Sequence, residues 1–282
     1  MKNPTRRNRN IGTEKQGHSQ NNELTIPYPV AISKTFYERL ERYEKFYRTI
    51  NGNVFEFVIE ETRATSEHAC TIEDISEIIR HIPPSDYEDL NLIILRQPKR
   101  KEETLSSVWG RLIYSYEFEG NNRAAIILEA VDYERKFKWS KSLQPEHQKE
   151  LERLRSDGHE ITADKRYYTA EYKLDNVRNT QLYRTLPHEF GHYVHYLEEV
   201  ERPGTEEEDY EEWELRYDNY FKISTADKEK FAHGYADELV NNLKECSAIP
   251  FERIENSSQQ KIKKHRAFLQ FESSSNSGKS AK

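Results

Sequence analysis

Two histidines one helical turn apart, His188 and His192, limit what this chain can fold into more than any other feature of the sequence. Glu189 directly follows the first histidine, which completes the pattern His-Glu-x-x-His. On a helix, positions four apart lie on the same face. The two imidazoles can therefore hold one Zn²⁺ at about 2.1 Å each, with Glu189 beside them to take a proton from an activated water.

The residues around this pattern favour an amphipathic helix with one buried face. Its apolar and aromatic side chains recur at helical spacing: Leu186, Phe190, Tyr193, Val194 and Leu197. Pro187 removes one helical hydrogen bond and disfavours the helical conformation at Leu186. We therefore expect the helix to begin near Leu186 or to kink there. The alternative is an ordinary amphipathic helix that carries two histidines and no metal.

A catalytic zinc site usually has three protein ligands, so one more must be found. Glu198 stands where H-E-x-x-H-x-x-G-x-x-H enzymes have their third ligand, but that arrangement needs a glycine where this chain has His195. If the helix continues, Glu198 lies about 9 Å along the axis from His192, and His195 lies about 10 Å from His188. Neither side chain is expected to share the ion.

Glu229 is the preferred third ligand because residues 227–244 predict a second long helix that can pack against the first. Ala232 would allow a close helix contact. His233, one turn further, is a candidate to hydrogen-bond a ligand or to replace it, and Glu238 is a more remote candidate. The alternative is that Glu229 is an acid in a first helical turn, where the helix dipole favours negative charge.

A family resemblance follows from these two motifs. The segment from His188 to His192, followed by Glu229-x-Phe-Ala-x-x-Tyr, resembles zincin metalloproteases with a glutamate third ligand. It looks most like the catalytic-domain group of anthrax lethal factor and is similar to ImmA/IrrE-type repressor-cleaving proteases. The resemblance covers roughly residues 70–245 in layout. It implies a zincin-like fold, zinc ligands His188, His192 and Glu229, and Glu189 as general base in peptide-bond hydrolysis.

Two positions depart from the pattern of that family. The family often places a catalytic tyrosine seven residues before the ligand glutamate, where this chain has Lys222, although Tyr220 and Tyr217 lie nearby. The position one turn after Glu229, usually Glu or Asn, is His233. We therefore predict that the phenol of Tyr220, or His233, stabilises the oxyanion.

Composition and charge exclude several classes of function for this chain. The 282 residues are 33% charged with a net charge of −7, which argues against nucleic acid as the main partner. No apolar run approaches about 18 residues, and no secretory signal follows the N-terminus. Cys70 and Cys246 have no metal-binding spacing, and we expect two buried, reduced thiols. These features predict a cytoplasmic protein without a membrane partner, and the family resemblance implies a peptide or protein substrate.

Helical and strand patterns alternate without a regular βαβ repeat, which favours an α+β fold. We expect a twisted mixed sheet with helices and a mostly helical C-terminal part, together forming one domain over residues 23–250. Residues 1–22 and 251–282 are predicted to be disordered tails. Helices are predicted over residues 33–47, 72–82, 145–155 and 227–244, and strands over residues 54–60, 90–95, 108–116, 124–131 and 167–174.

The strand predicted over residues 167–174 ends just before the metal helix, and we place it at the sheet edge. There it either pairs with an extended peptide or is an ordinary polar edge strand.

These patterns lead to three hypotheses. The first is a zinc-dependent endopeptidase. The second is a catalytically inactive zincin-like domain that serves as a protein-binding or regulatory module, with zinc structural or absent. The third is an accidental motif, which predicts that Glu229 lies far from His188 and His192.

Overall fold

A computed structural model describes residues 40–105, 109–143, 145–205 and 207–255. The strands are β1 (Tyr43–Ile50), β2 (Asn53–Glu60), β3 (Ser66–Glu67), β4 (Leu92–Arg96), β5 (Gly110–Phe118), β6 (Asn121–Glu129), β7 (Val131–Asp132), β8 (Lys136–Ser140), β9 (Ile161–Ala163) and β10 (Tyr167–Glu171). The α-helices are α1 (Ile72–Arg80), α2 (Arg100–Leu105), α3 (Pro145–Ser156), α4 (Leu174–Thr180), α5 (Leu186–Tyr196), α6 (Tyr210–Lys222) and α7 (Thr225–Glu245). The predicted tail at residues 1–22, and residues 256–282 of the tail predicted over residues 251–282, lie outside the described part of the chain.

The main sheet has five strands in the order β1-β2-β4-β6-β5 and is mixed. Strands β2, β4 and β6 are parallel, and β1 and β5 join the two ends antiparallel. All five residues of β4 are buried, as a continuous apolar run in a central strand requires. The α+β class and the mixed sheet are confirmed. Beyond the sheet, α4 to α7 make the C-terminal part helical, also as predicted.

The sheet packs its two faces into different apolar clusters because side chains alternate along each strand. In β4, Ile93 and Leu95 enter the larger cluster, whereas Leu92 and Ile94 enter the smaller one. Helices α1 and α5 cover the larger cluster. Thr71 caps α1 in a capping box, as its position predicts, and the helix buries its isoleucines fully.

The helix predicted over residues 33–47 is wrong over residues 43–47, which belong to β1, and residues 33–39 lie outside the described part. Strand β1 pairs with β2 through the two-residue turn Asn51-Gly52, with φ values of 49° and 84°. Positive φ at both turn positions is the geometry of a tight hairpin, which Asn-Gly favours. The turn therefore outweighs the helix-like spacing of the aromatic residues before it.

Strand β10 does not lie at the edge of the main sheet. It is the middle strand of a separate three-stranded sheet, between β8 and β9. The expectation that it borders a cleft at a sheet edge is wrong, because β8 and β9 use both of its edges for pairing.

Residues 251–255, which we assigned to the C-terminal tail, pack against the domain. The carboxylate of Asp74 on α1 accepts hydrogen bonds from Arg178 of α4 and from the main chain of Ile254. Cys70 is buried but Cys246 is exposed, so the expectation of two buried thiols is wrong for Cys246. None of the described helices is both long enough and apolar enough to cross a membrane.

Candidate metal centre

The helix that carries the histidine pair is the middle of a longer helical run. Helix α4 leads into a π-helical segment, Gln181–Thr185, which leads into α5. The N–H of Leu186 donates to the carbonyl of Gln181, five residues back. The wider turn ends just before Pro187, whose nitrogen has no hydrogen to donate. The irregularity predicted at Leu186 is thus a change from π- to α-helical hydrogen bonding.

Helix α7 lies directly against α5 because both helices have a small residue at the contact. A Cβ added to Gly191, inside the His-Glu-x-x-His pattern, would be 2.8 Å from the carbonyl oxygen of Ala232 and 2.9 Å from its Cα. Ala232 itself is fully buried. The close helix contact expected at Ala232 is confirmed, and it brings Glu229, one turn earlier on α7, to the histidines.

Three side-chain groups converge at this contact. The Nε2 atoms of His188 and His192 are 3.1 Å apart. Oε2 of Glu229 lies 3.2 Å from Nε2 of His188, and its Oε1 lies 3.5 Å from Nε2 of His192. Among the described residues, this is the only group of three histidines, cysteines or acids that is arranged to hold a metal ion.

The spacing of these atoms fits tetrahedral coordination of one ion. With ligands about 2.1 Å from such an ion, neighbouring ligand atoms lie about 3.4 Å apart. The three measured separations fall around that value. His188, His192 and Glu229 can therefore bind one metal ion with little rearrangement, and the separation that an accidental motif predicts is not found.

The two histidines favour the charged form of Glu229. Hydrogen bonds from His188 and His192 hold the pKa of the Glu229 carboxyl well below its ordinary value, although burial opposes them. Both histidine side chains are 14% exposed, whereas that of Glu229 is 45% exposed. The cluster is thus open to solvent mainly on the side of α7.

Glu189 lies on the buried side of α5. Its Oε2 accepts a hydrogen bond of 2.7 Å from the main-chain N–H of Leu112 in β5. Burial raises the pKa of Glu189, and the neighbouring His188 and His192 partly oppose that rise. Strand β5 is an edge strand of the main sheet, so the outer edge of the sheet faces this carboxylate.

His233 lies beside the cluster, one turn beyond Glu229. Its ring is 4.4 Å from the ring of His188, and its Nε2 is 3.9 Å from Oε2 of Glu229. Nη2 of Arg153, on α3, is 3.2 Å from the same Nε2. Burial lowers the pKa of His233 to about 4, with the charges of His188 and Arg153 adding to the effect.

Tyr220 lies behind α5 and not among the ligand atoms. It is 1% exposed, and its hydroxyl is 2.7 Å from the hydroxyl of Tyr114 and 3.4 Å from the main-chain oxygen of His192. Burial raises its pKa. The structure therefore brings His233 to the cluster but directs the Tyr220 hydroxyl elsewhere.

The rival ligands lie apart from the cluster. Glu198 forms an exposed ion pair with Arg202 at 3.6 Å. The buried ring of His195 stacks on Phe231, with ring centres 4.4 Å apart. Glu238 is exposed on α7.

Sequence reasoning missed two residues of this site, Leu112 and Arg153. Leu112 contributes a main-chain N–H, for which no side-chain pattern exists. Arg153 belongs to a helix that was predicted correctly, but one arginine on a polar helix is not distinguished by its neighbours in sequence.

No protein-family model matches the chain, and neither a curated protein nor a solved structure matches it.

Proposed function

We propose that the chain is a zinc-dependent endopeptidase with a zincin-type site. The observation that carries this proposal is the convergence of His188, His192 and Glu229 beside the buried carboxylate of Glu189. Two imidazoles and one carboxylate form the ligand set of many catalytic zinc sites, which keep a fourth position open. Magnesium and calcium prefer oxygen ligands, so the histidine pair favours zinc over both.

When bound, the metal supplies Lewis acidity to a water and to a carbonyl oxygen. Glu189 takes the proton of the attacking water and passes it to the leaving amine. The N–H of Leu112 holds one oxygen of that carboxylate, which leaves the other for proton transfer. A side chain held in this way is directed before the substrate binds, which lowers the reorganisation needed during the reaction.

Strand β5 suggests how a peptide would bind. The N–H of Leu112 points away from β6, towards the outer edge of the sheet, since it reaches Glu189. A peptide that adds to this edge as a further strand would pass beside the Glu189 carboxylate. Extended binding along an edge strand suits cleavage within a chain, which supports an endopeptidase.

The test is Glu189→Gln in the full chain loaded with zinc. We expect bound zinc to be retained in metal analysis. Cleavage of a proteome-derived peptide library, read by mass spectrometry, should fall about 10²- to 10⁴-fold because the base is lost. Glu199→Gln is the matched control, since it makes the same change on an exposed residue of the same helical run.

Cleavage that stays zinc-dependent in Glu189→Gln would contradict the general-base role. Stoichiometric zinc in the wild type with no cleavage of any peptide would favour the inactive binding module instead.

A further inference from the structure

Arg153 lies one imidazole ring away from the metal cluster. Its Nη2 is 3.2 Å from Nε2 of His233, and the same Nε2 is 3.9 Å from Oε2 of Glu229. The arginine is on α3, which is separate in sequence from both ligand helices. A fixed positive charge therefore lies close to the carboxylate of Glu229.

The direction of this hydrogen bond determines what His233 can do. A guanidinium only donates hydrogen bonds, so Nε2 of His233 must be the acceptor and carries no proton in this contact. In this arrangement His233 cannot offer an Nε2–H to a substrate oxygen. Tyr220 is no better placed, because its buried hydroxyl already contacts Tyr114 and the main chain of His192.

Among the described residues, Arg153 forms one ion pair, and that pair is long. Its partner is Glu150, with Nη1 of Arg153 4.0 Å from Oε2 of Glu150. The two oxygens of Glu150 accept from Arg184 at 2.8 and 3.1 Å, so that carboxylate is already paired. The Arg153 side chain is 42% exposed, which leaves donors for a bound molecule.

The helix that carries Arg153 is held firmly in place. Leu151 and Leu154 bury the inner face of α3. Arg184 binds Glu150 on α3 and Asp157 just after it, and Arg184 belongs to the π-helical segment that leads into α5. These contacts fix Arg153 relative to the histidine pair.

We propose that Arg153 donates hydrogen bonds to the oxyanion that forms when the scissile carbonyl is attacked. This inference rests on the proposed peptidase function. Water adds through its oxygen to the carbonyl carbon, its proton moves to Glu189, and the C=O π pair becomes the negative charge that Arg153 faces. The charge then re-forms the C=O bond as the C–N bond breaks, and Glu189 returns the proton to the amine.

The experiment uses Arg153→Ala in the zinc-loaded full chain, with a cleaved peptide blocked at both ends. We expect kcat to fall about 10²- to 10³-fold with little change in KM, because the donor acts on charge that develops in the transition state. A phosphinic analogue of the same peptide, which carries the tetrahedral anion, should bind Arg153→Ala more weakly by a similar factor. In a Glu189→Gln background, affinity for the uncleaved peptide should not depend on Arg153.

Arg155→Ala is the matched control, because it removes the same charge from an exposed position on the same helix. Arg153→Lys should recover part of the activity, since it restores the charge without the forked donors. Zinc content and circular dichroism should be the same in all variants.

If the wild type is active and Arg153→Ala keeps both its kcat and its affinity for the phosphinic analogue, this inference is overturned but the proposed function is not. A defect confined to peptides with a free C-terminal carboxylate would also overturn it, because Arg153 would then anchor that carboxylate. A zinc-loaded wild type that cleaves no peptide would overturn the proposed function and this inference together.

Discussion

At the residue scale, Glu229 reaches the histidine pair with both oxygens of its carboxylate. Oε2 faces His188 and Oε1 faces His192. The two imidazoles hold the pKa of its carboxyl below the ordinary value. The negative charge of Glu229 would offset part of the charge of a divalent ion. We therefore expect the charge of Glu229 to matter most for metal affinity.

Replacing Glu229 with Gln keeps the shape of the side chain but removes its charge. We expect zinc affinity to fall by more than about 100-fold, since losing only an outer partner of a ligand weakens binding about 10- to 100-fold. Competition with a chromogenic chelator measures this affinity. Glu238→Gln, on the exposed face of the same helix, should leave it unchanged. Equal affinities in the two variants would contradict Glu229 as a ligand.

At the scale of secondary-structure elements, the contact of α5 with α7 assembles the cluster. Gly191 and Ala232 let the two backbones approach so closely that no Cβ fits at Gly191. The obstructing atoms belong to the main chain of Ala232, so they cannot yield by a rotamer change. The distance between the helices therefore depends on this glycine.

Gly191→Ala should push α7 away from α5 and carry Glu229 with it. We expect a loss of about 1 to 3 kcal/mol in the free energy of unfolding, typical of an overpacked core, together with weaker zinc binding. Urea unfolding and the chelator competition measure the two effects. Gly234→Ala on α7 is the matched control because a Cβ there meets nothing within 4 Å. The free energy of unfolding of Gly234→Ala should rise by up to about 1 kcal/mol through helix propensity. If Gly191→Ala had the same stability and zinc affinity as Gly234→Ala, the close contact at Gly191 would not matter.

At the scale of the whole molecule, Asp74 joins three parts of the chain that are remote in sequence. Its fully buried carboxylate completes the capping box of α1 with Thr71 and accepts two hydrogen bonds from Arg178 of α4. It also accepts the N–H of Ile254. Because α4 begins the helical run of the metal site, this pair links α1 to that run.

Asp74→Ala should lower the free energy of unfolding by about 3 to 5 kcal/mol. The reason is that Arg178, whose side chain is 5% exposed, would keep a buried charge without its partner. Chemical denaturation measures the loss. Asp175→Ala, which removes an exposed acid from the first turn of α4, should change stability by less than about 0.5 kcal/mol. Similar losses in both variants would mean that the buried pair does not hold these parts together.

Local patterns predicted much of this architecture. The helix predicted over residues 72–82 corresponds to α1, and the strands predicted over residues 108–116 and 124–131 correspond to β5 and β6. The His-Glu-x-x-His pattern predicted a helix with two histidines on one face, and their Nε2 atoms meet as expected. Each of these features depends on contacts within a few residues, which a sequence displays directly.

Other features depended on how strands pair. The aromatic spacing before Asn51 suited a helix, but pairing with β2 made it a strand. The position of β10 followed from strands on both sides of it. The spacing of side chains within one segment does not show which strand supplies its pairing hydrogen bonds, so these two predictions failed.

The sequence by itself determined that two imidazoles stand one turn apart on a single helix with the carboxylate of Glu189 between them in sequence, because helical geometry relates residues only a few positions apart. The tertiary structure decided that Glu229 closes the cluster. It also decided that the N–H of Leu112, 77 residues from Glu189, holds the Glu189 carboxylate. Finally, it placed Arg153, 80 residues from His233, against the ring of that histidine. The physical reason is that the packing of α3, β5 and α7 against α5 arises from burying shared apolar surface, and that surface is created only when remote segments fold together.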